Sequence, residues 1–451
     1  MSQRFPLPAA RHPLAARFLA DAAAVGEAIE RFGSPLHVVF PQVMAENATV
    51  LAGVLRRHGV PYDIFYAHKV NASAALLAEA YAAGLGADVA SAAELDRALA
   101  AGFAPDRIEA TGPKSPAFIE RIAALGVTAN ADDLWELDRL AAAAPAGSAV
   151  PVLLRLSGFA SSAVPQSRFG IDLADADAAL ETVRRAPGLD LRGVAFHLDT
   201  ADPAARVDAL TESMAVVAAA HRKGLRPSVI DIGGGFRQRF VEDPEPFQRY
   251  AQALAVAPAG ELVWPGHDVA APAAHKYGNH RPATDVLERF LAAEIERRPV
   301  AEVLRECMLT LWIEPGKALV DHAGVTLASV LYRKRAAGHD LVVLDLSRNQ
   351  VTPADQEVLL DPVLIGGRGE PQAGGVFLAG RLCLESDLVS RRKVFLESEP
   401  SSGDVLAFVN TAAYQMDLSA SSAGGHPPPP KVAAVWDGER FAFAADDNHG
   451  S

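Results

Sequence analysis

Lys69, Arg155, His197, a glycine triplet at 233–235 and Glu314 each lie within or just beyond a short apolar run, where they could do chemistry. Lys69 leaves the run Tyr62–His68 in the segment YAHKVN. A lysine just past a buried strand is partly desolvated, which lowers its pKa and frees the amine for a Schiff base. Taken singly, it could equally be a solvated lysine at a strand end. Arg155 in PVLLRL and His197 in GVAFHL could each be structural residues satisfied by backbone carbonyls. Gly233, Gly234 and Gly235 in IDIGGGF let the main chain approach an anion and aim several N–H groups at it. Glu314 begins Glu-Pro-Gly-Lys, which carries Gly316 and Lys317.

For these residues to meet, their runs must belong to one sheet. The runs are Tyr62–His68, Leu85–Ala90, Arg107–Gly112, Gly126–Asn130, Pro151–Leu156, Gly193–Leu198, Ser228–Gly233 and Leu309–Glu314, separated by alanine-rich segments with helical spacing. Alternation of this kind predicts βα units around a parallel sheet, and eight strands are enough to close a barrel. Ser91 with Glu94 three residues on is a capping box for one of the helices, and Gly102 is its stop. Reactive residues of such a barrel sit at the C-terminal ends of its strands, and phosphate binds at the loops after strands seven and eight. Lys69, Arg155, His197, the glycines and Glu314 then share one rim. An amine, an anion cradle and a carboxylate together predict pyridoxal 5'-phosphate.

Beyond about Gly324 the apolar period becomes two, with Gly, Asp, Pro and Ser between runs, which predicts an antiparallel β domain. The early strand Leu36–Phe40 lies outside the barrel count and is expected to join that sheet. The expected organisation is an N-terminal segment over 1–40, a (β/α)8 barrel over 41–322 and a Greek-key-like β domain over 323–451. The connection Phe236–Met308 is far longer than an ordinary βα connection, so it reads as a lid or binding loop, or as decoration without a catalytic role.

In order along nearly the whole chain, YAHKVN, GADVASAAELDRALAAG, SRFGI (Ser167–Ile171), HLDT (His197–Thr200), IDIGGGF, EPGK, CLESD (Cys383–Asp387) and Tyr414 in NTAAYQM resemble motifs of the alanine-racemase-like, fold type III pyridoxal-phosphate enzymes. Within them, the chain is most similar to the ornithine and diaminopimelate decarboxylase family. The resemblance implies that Lys69 carries the cofactor and that Asp88 and Arg155 flank it. It also implies that His197 stacks on the ring, Glu314 pairs with the pyridine nitrogen and Tyr414 contacts the phosphate. Cys383 would come from the second subunit of a homodimer as proton donor, with Glu385 and Asp387 toward an amino-acid substrate. A carboxylate at Glu314 favours decarboxylation over racemisation, because it keeps the ring nitrogen protonated. Racemisation or epimerisation on the same cofactor, and a non-catalytic regulatory relative, are the competing readings.

Three departures from the family pattern stand out. Leu384 follows the cysteine where the family has an acid, Lys317 replaces the arginine of Glu-Pro-Gly-Arg, and His68 replaces a small or apolar residue and is expected to face outward from its strand. Together with the insertion they imply a divergent branch with its own substrate.

Of 451 residues, 42 are basic and 55 acidic, a net charge of -13, which argues against a nucleic-acid surface. Two cysteines, Cys307 and Cys383, permit no disulfide framework, and with no apolar run long enough for a membrane span a cytoplasmic location is expected. Cys307 is expected only to pack. No metal site is expected, because His267, His275 and His280 lack partner ligands at suitable spacing.

Overall fold

The computed structural model describes residues 4–446 apart from 259, 269–276, 353–358, 368 and 373. Eight parallel strands form a closed ring: Tyr62–Ala67, Gly86–Val89, Ile108–Ala110, Thr128–Ala131, Val150–Ser157, Leu189–Ala195, Val229–Asp231 and Thr310–Ile313. Closure comes from the last strand pairing with the first and the fourth with the fifth. The helices between them start on oxygen caps that satisfy their first amides: Ser73, Ser91, Ser115, Asp133 and Asp202 each accept from a backbone N–H. At Ser91 the hydroxyl accepts from Glu94 N at 3.2 Å, while the Glu94 carboxylate reaches back to Ala90 N at 2.6 Å.

Phe65, Leu153, Ala195, Val229 and Trp312 fill the barrel interior, with the Phe65 and Trp312 rings 4.5 Å apart. Gly86 makes room for this plug, since a Cβ there would lie 2.4 Å from the Phe65 ring. The plug sits nearer the strands' N-terminal ends than Lys69 and Glu314. It therefore gives the site a dry floor.

The second sheet is built on the 13-residue strand Gly324–Ala336. Leu36–Val39 pairs antiparallel with it and parallel with Lys431–Trp436, so the sheet takes strands from both ends of the chain. His339–Leu344 also pairs parallel with Val376–Ala379. The domain is thus mainly antiparallel with two parallel pairings, because strands distant in sequence are brought side by side.

The long connection after strand seven is not free decoration. Its helix Ala283–Ala292 packs in the barrel's outer ring against helices Pro41–Arg57 and Pro203–Arg222. The preceding stretch braces the β domain: Trp264 N donates to Arg391 O and Lys393 N to Leu262 O, both at 2.8 Å. Phe240, Phe247, Tyr250 and Leu262 form one apolar cluster with Leu7, Leu359 and Leu360. Within it the Arg392 guanidinium is buried against Asp361. Of the three histidines considered as ligands, His275 lies outside the described residues.

Candidate active site

At the C-terminal rim, Lys69, Arg155, His197, Asp231, Gly233 and Glu314 line one cavity of about 480 Å³. Lys69 stands in a single 3-10 turn, His68–Val70, that ends strand one. Its Nζ donates to Asp88 Oδ2 at 2.5 Å and lies 3.5 Å from Thr111 Oγ1, while Thr111 also donates to the other Asp88 oxygen. Burial opposes the charge on Lys69, but Asp88 and Glu314 outweigh it and raise its pKa above the ordinary lysine value. The expected lowering is therefore corrected: the amine is held as ammonium, hydrogen-bonded to Asp88.

Four carboxyl groups converge beneath this lysine. Oxygens of Glu109, Asp231 and Glu314 all lie within 4.8 Å of one another, and Asp88 is fully buried beside them. Burial, then mutual repulsion, raises the pKa of all three well above the carboxylate range. One oxygen each of Glu109 and Asp231 is buried without a hydrogen-bond partner. A layer of this kind retains protons that ordinary carboxylates would have lost. The sequence reading missed Glu109. A glutamate within a strand looks like a solvated residue until register turns it inward; here its Oε1 accepts from Asn130 Nδ2 at 2.8 Å on the next strand.

His197 is held neutral. Burial, then Lys69, Arg155 and Arg206, push its pKa down to about 3. Its Nδ1 accepts from Gly234 N at 3.1 Å, which places the ring proton on Nε2. Gly233 N in turn donates to Asp231 Oδ1 at 2.8 Å. Two of the three amides expected to face an anion are thus used within the protein, and their glycines shape the loop instead. The loop admits no side chain: a Cβ on Gly234 would lie 2.4 Å from Glu314 O, and one on Gly235 1.8 Å from Leu198 O. Arg155 lies 3.6 Å from Asp132, and its guanidinium carbon is 4.6 Å from the centre of the Phe169 ring.

Beside this cavity, Lys317, Asp199, Gln238 and Tyr414 line a smaller pocket. Lys317 Nζ is paired with Asp199 at 2.8 Å. Tyr414 has a left-handed backbone with φ 66° and is pinned by its N–H to Val70 O at 2.8 Å, which ties the β domain to the turn bearing Lys69. Gly316 lets its own loop approach the same turn, since a Cβ there would lie 2.6 Å from Val70 Cγ2.

Cys383 and Glu385 are not brought to this cavity. Both are exposed, in a turn that lines a recess with Trp264, Leu331, Tyr332 and Lys334. Asp387 is corrected from a substrate group to a turn anchor: it is buried, and its two oxygens accept from Arg348 N and Leu382 N at 2.8 Å. His68, expected to face outward, is buried with a pKa lowered to about 4 by burial and then Arg97. Cys307, expected to pack, is exposed after helix Val300–Glu306.

A family model described as pyridoxal-dependent decarboxylase, pyridoxal binding domain, matches residues 49–268. The uncharacterised protein y4yA of Sinorhizobium fredii is 35% identical over 91% of this chain and 89% of its own length. This chain belongs to the fold type III pyridoxal-phosphate-dependent decarboxylase family. Within the family, diaminopimelate decarboxylase of Pseudomonas fluorescens is 26% identical over 89% of this chain and 88% of its own. Its architecture is that of the M. jannaschii diaminopimelate decarboxylase solved with L-lysine, with a TM-score of 0.73 over 93% of this chain and 90% of that one at 21% identity. The family implies pyridoxal phosphate, and the residues here fit it: a lysine at the cavity wall, a glycine cradle without space for a Cβ, and a proton-holding acid layer with unpartnered oxygens. Among the described residues, no helix is long and apolar enough to cross a membrane.

Proposed function

We propose that this family member decarboxylates an amino acid, with Lys69 carrying pyridoxal 5'-phosphate. The observation that carries the reading is Glu314 at the cavity floor, backed by Asp231 and Glu109, with Lys69 on the wall of the same cavity. Pyridoxal phosphate, when bound, supplies an aldehyde that condenses with amines and an electron-withdrawing ring that weakens bonds at the amino acid's α-carbon. Asp88 orients Lys69 and accepts its proton. Neutral His197 would offer a flat face for the ring, and Glu314 as a carboxylate would accept from the ring N–H, which would keep the ring protonated. Arg155 holds positive charge at the wall, while Gly235, Lys317 and Tyr414 attend the phosphate. A protonated ring suits loss of carbon dioxide better than racemisation does.

The working unit in this reading is a homodimer. Cys383 is exposed in its own chain, and Leu331, Tyr332 and Leu384 are exposed beside it, which suits a surface that delivers Cys383 and Glu385 to a second chain's cavity. The two unpaired cysteines support a cytoplasmic setting, where thiols stay reduced. Trapping carbon dioxide from a panel of L-, D- and meso-amino acids, with chiral analysis of each product, tests the proposal. Gas release with one-to-one amine formation is expected; chiral inversion without gas would overturn it.

A further inference from the structure

Arg206 is a fully buried cation that none of the roles above uses. It lies in the helix Pro203–Arg222, and none of its surface is exposed. Its Nη1 donates to Ile232 O at 3.2 Å. Its Nη2 donates to Leu198 O and Thr200 O at 3.1 Å and to Gly234 O at 2.7 Å. The guanidinium carbon is 4.6 Å from the centre of the Phe236 ring. The one carboxylate whose charge acts on it is Asp199, which favours the ionised form. Burial lowers its pKa to about 10, so it is charged at neutral pH.

These four carbonyls belong to two loops, those after strands six and seven, and one guanidinium ties both. A buried charge hydrogen-bonded only to carbonyls is costly, and Asp199, whose field offsets part of that cost, is also paired with Lys317, so a further anion at this point would be favoured. The loop it grips contains Gly235, whose absent Cβ would lie 3.0 Å from Arg206 Nη2, so a group seated on Gly235 meets this charge through a single layer of main chain. Lys317, which would attend the phosphate from the front, is paired with Asp199 at 2.8 Å, so its charge is shared with that carboxylate.

We infer that Arg206 is the positioning residue of the phosphate seat: from behind, it fixes the two loops that receive a phosphate monoester and supplies the buried positive charge that favours the dianion. The inference rests on the reading that the cavity takes pyridoxal phosphate. A guanidinium fork can hold carbonyls of both loops at once, which an ammonium cannot.

The test compares equilibrium binding of pyridoxal 5'-phosphate and of pyridoxal, which lacks only the phosphate, by the visible band each gives with Lys69. Wild type, Arg206→Lys and Arg206→Met are titrated. We expect Arg206→Met to weaken pyridoxal phosphate by about 10- to 100-fold, the range for bonds and fields of a charged group. Pyridoxal should change less than about twofold, with Arg206→Lys in between. An unchanged preference for the phosphorylated form, or equal weakening of both compounds, would overturn the inference. Absence of any band in wild type would instead overturn the cofactor reading itself. If the variants fail to fold, hydrogen exchange on the wild-type protein decides. Inorganic phosphate should slow amides of 198–200 and 232–236 together, and slowing of one loop alone, or of neither, counts against Arg206.

Discussion

The Lys69 cavity and the Cys383 turn, to which the proposed function gives the two ends of one reaction, are made by opposite means. Around Lys69 every group is placed by burial: Asp88 fully enclosed, Glu109, Asp231 and Glu314 within 4.8 Å of each other, and His197 kept neutral. Around Cys383 the chain offers exposed side chains, and the one buried acid, Asp387, is occupied with holding the turn. The cavity is preorganised in a single chain, whereas the turn is an exposed group whose surroundings, in the proposed homodimer, would come from a second chain.

Four changes would break or sharpen this contrast. The largest effect belongs to the cavity: Lys69→Ala should remove the visible cofactor band and lower carbon dioxide release by at least about 10³-fold. Retention of the band would break the assignment of the amine. Cys383→Ala should lower kcat by about 10²-fold with KM nearly unchanged, as for loss of a proton donor. Mixing Lys69→Ala chains with Cys383→Ala chains should restore partial activity through hybrid sites, and no recovery would show that the turn does not serve a second chain. Glu385→Ala, exposed beside Cys383, should raise KM by about tenfold and leave the cofactor band intact, about the 1.4 kcal/mol of one exposed polar contact.

The smallest effect is one of pH on stability. His68 has an unfolded pKa near 6.5 and a folded one of about 4, so between those values the unfolded chain binds the extra proton. Its contribution to stability is full above about pH 6.5 and is lost as the pH falls toward 4, with a slope of at most about 1.4 kcal/mol per pH unit. Denaturant midpoints across that range should drop less steeply in His68→Leu, while Cys383→Ala should follow the wild-type curve. Parallel curves for wild type and His68→Leu would mean that the turn bearing Lys69 is not sealed from water.

Much of this was readable from periodicity. All eight barrel strands follow from apolar runs, and Lys69, His197 and Glu314 follow from standing at strand ends. Glu109 and Arg206 were not readable. The first depends on a three-residue strand's register and the second on carbonyls of two loops folded over a helix, and neither leaves a local trace. Asp387 and the amides of Gly233 and Gly234 erred the other way: the motif flagged them, but neighbouring backbone and side-chain groups had already claimed their hydrogen bonds. The direction of the Lys69 shift was misjudged because desolvation is visible in an apolar run, whereas the carboxylates opposing it arrive from other strands.

The strand Leu36–Val39 has a consequence in time. Its parallel neighbour, Lys431–Trp436, is made almost 400 residues later, as the register His37 to Lys431 records. At about 5–20 residues per second, a ribosome needs roughly 20–80 s to deliver it. Through that interval the barrel can close on its own local units, while the second sheet waits with one flank open to pairing with any other chain. A terminal truncation that removes 431–436 would make that delay permanent, and the product should collect in aggregates even though every residue lining the lysine cavity is still present.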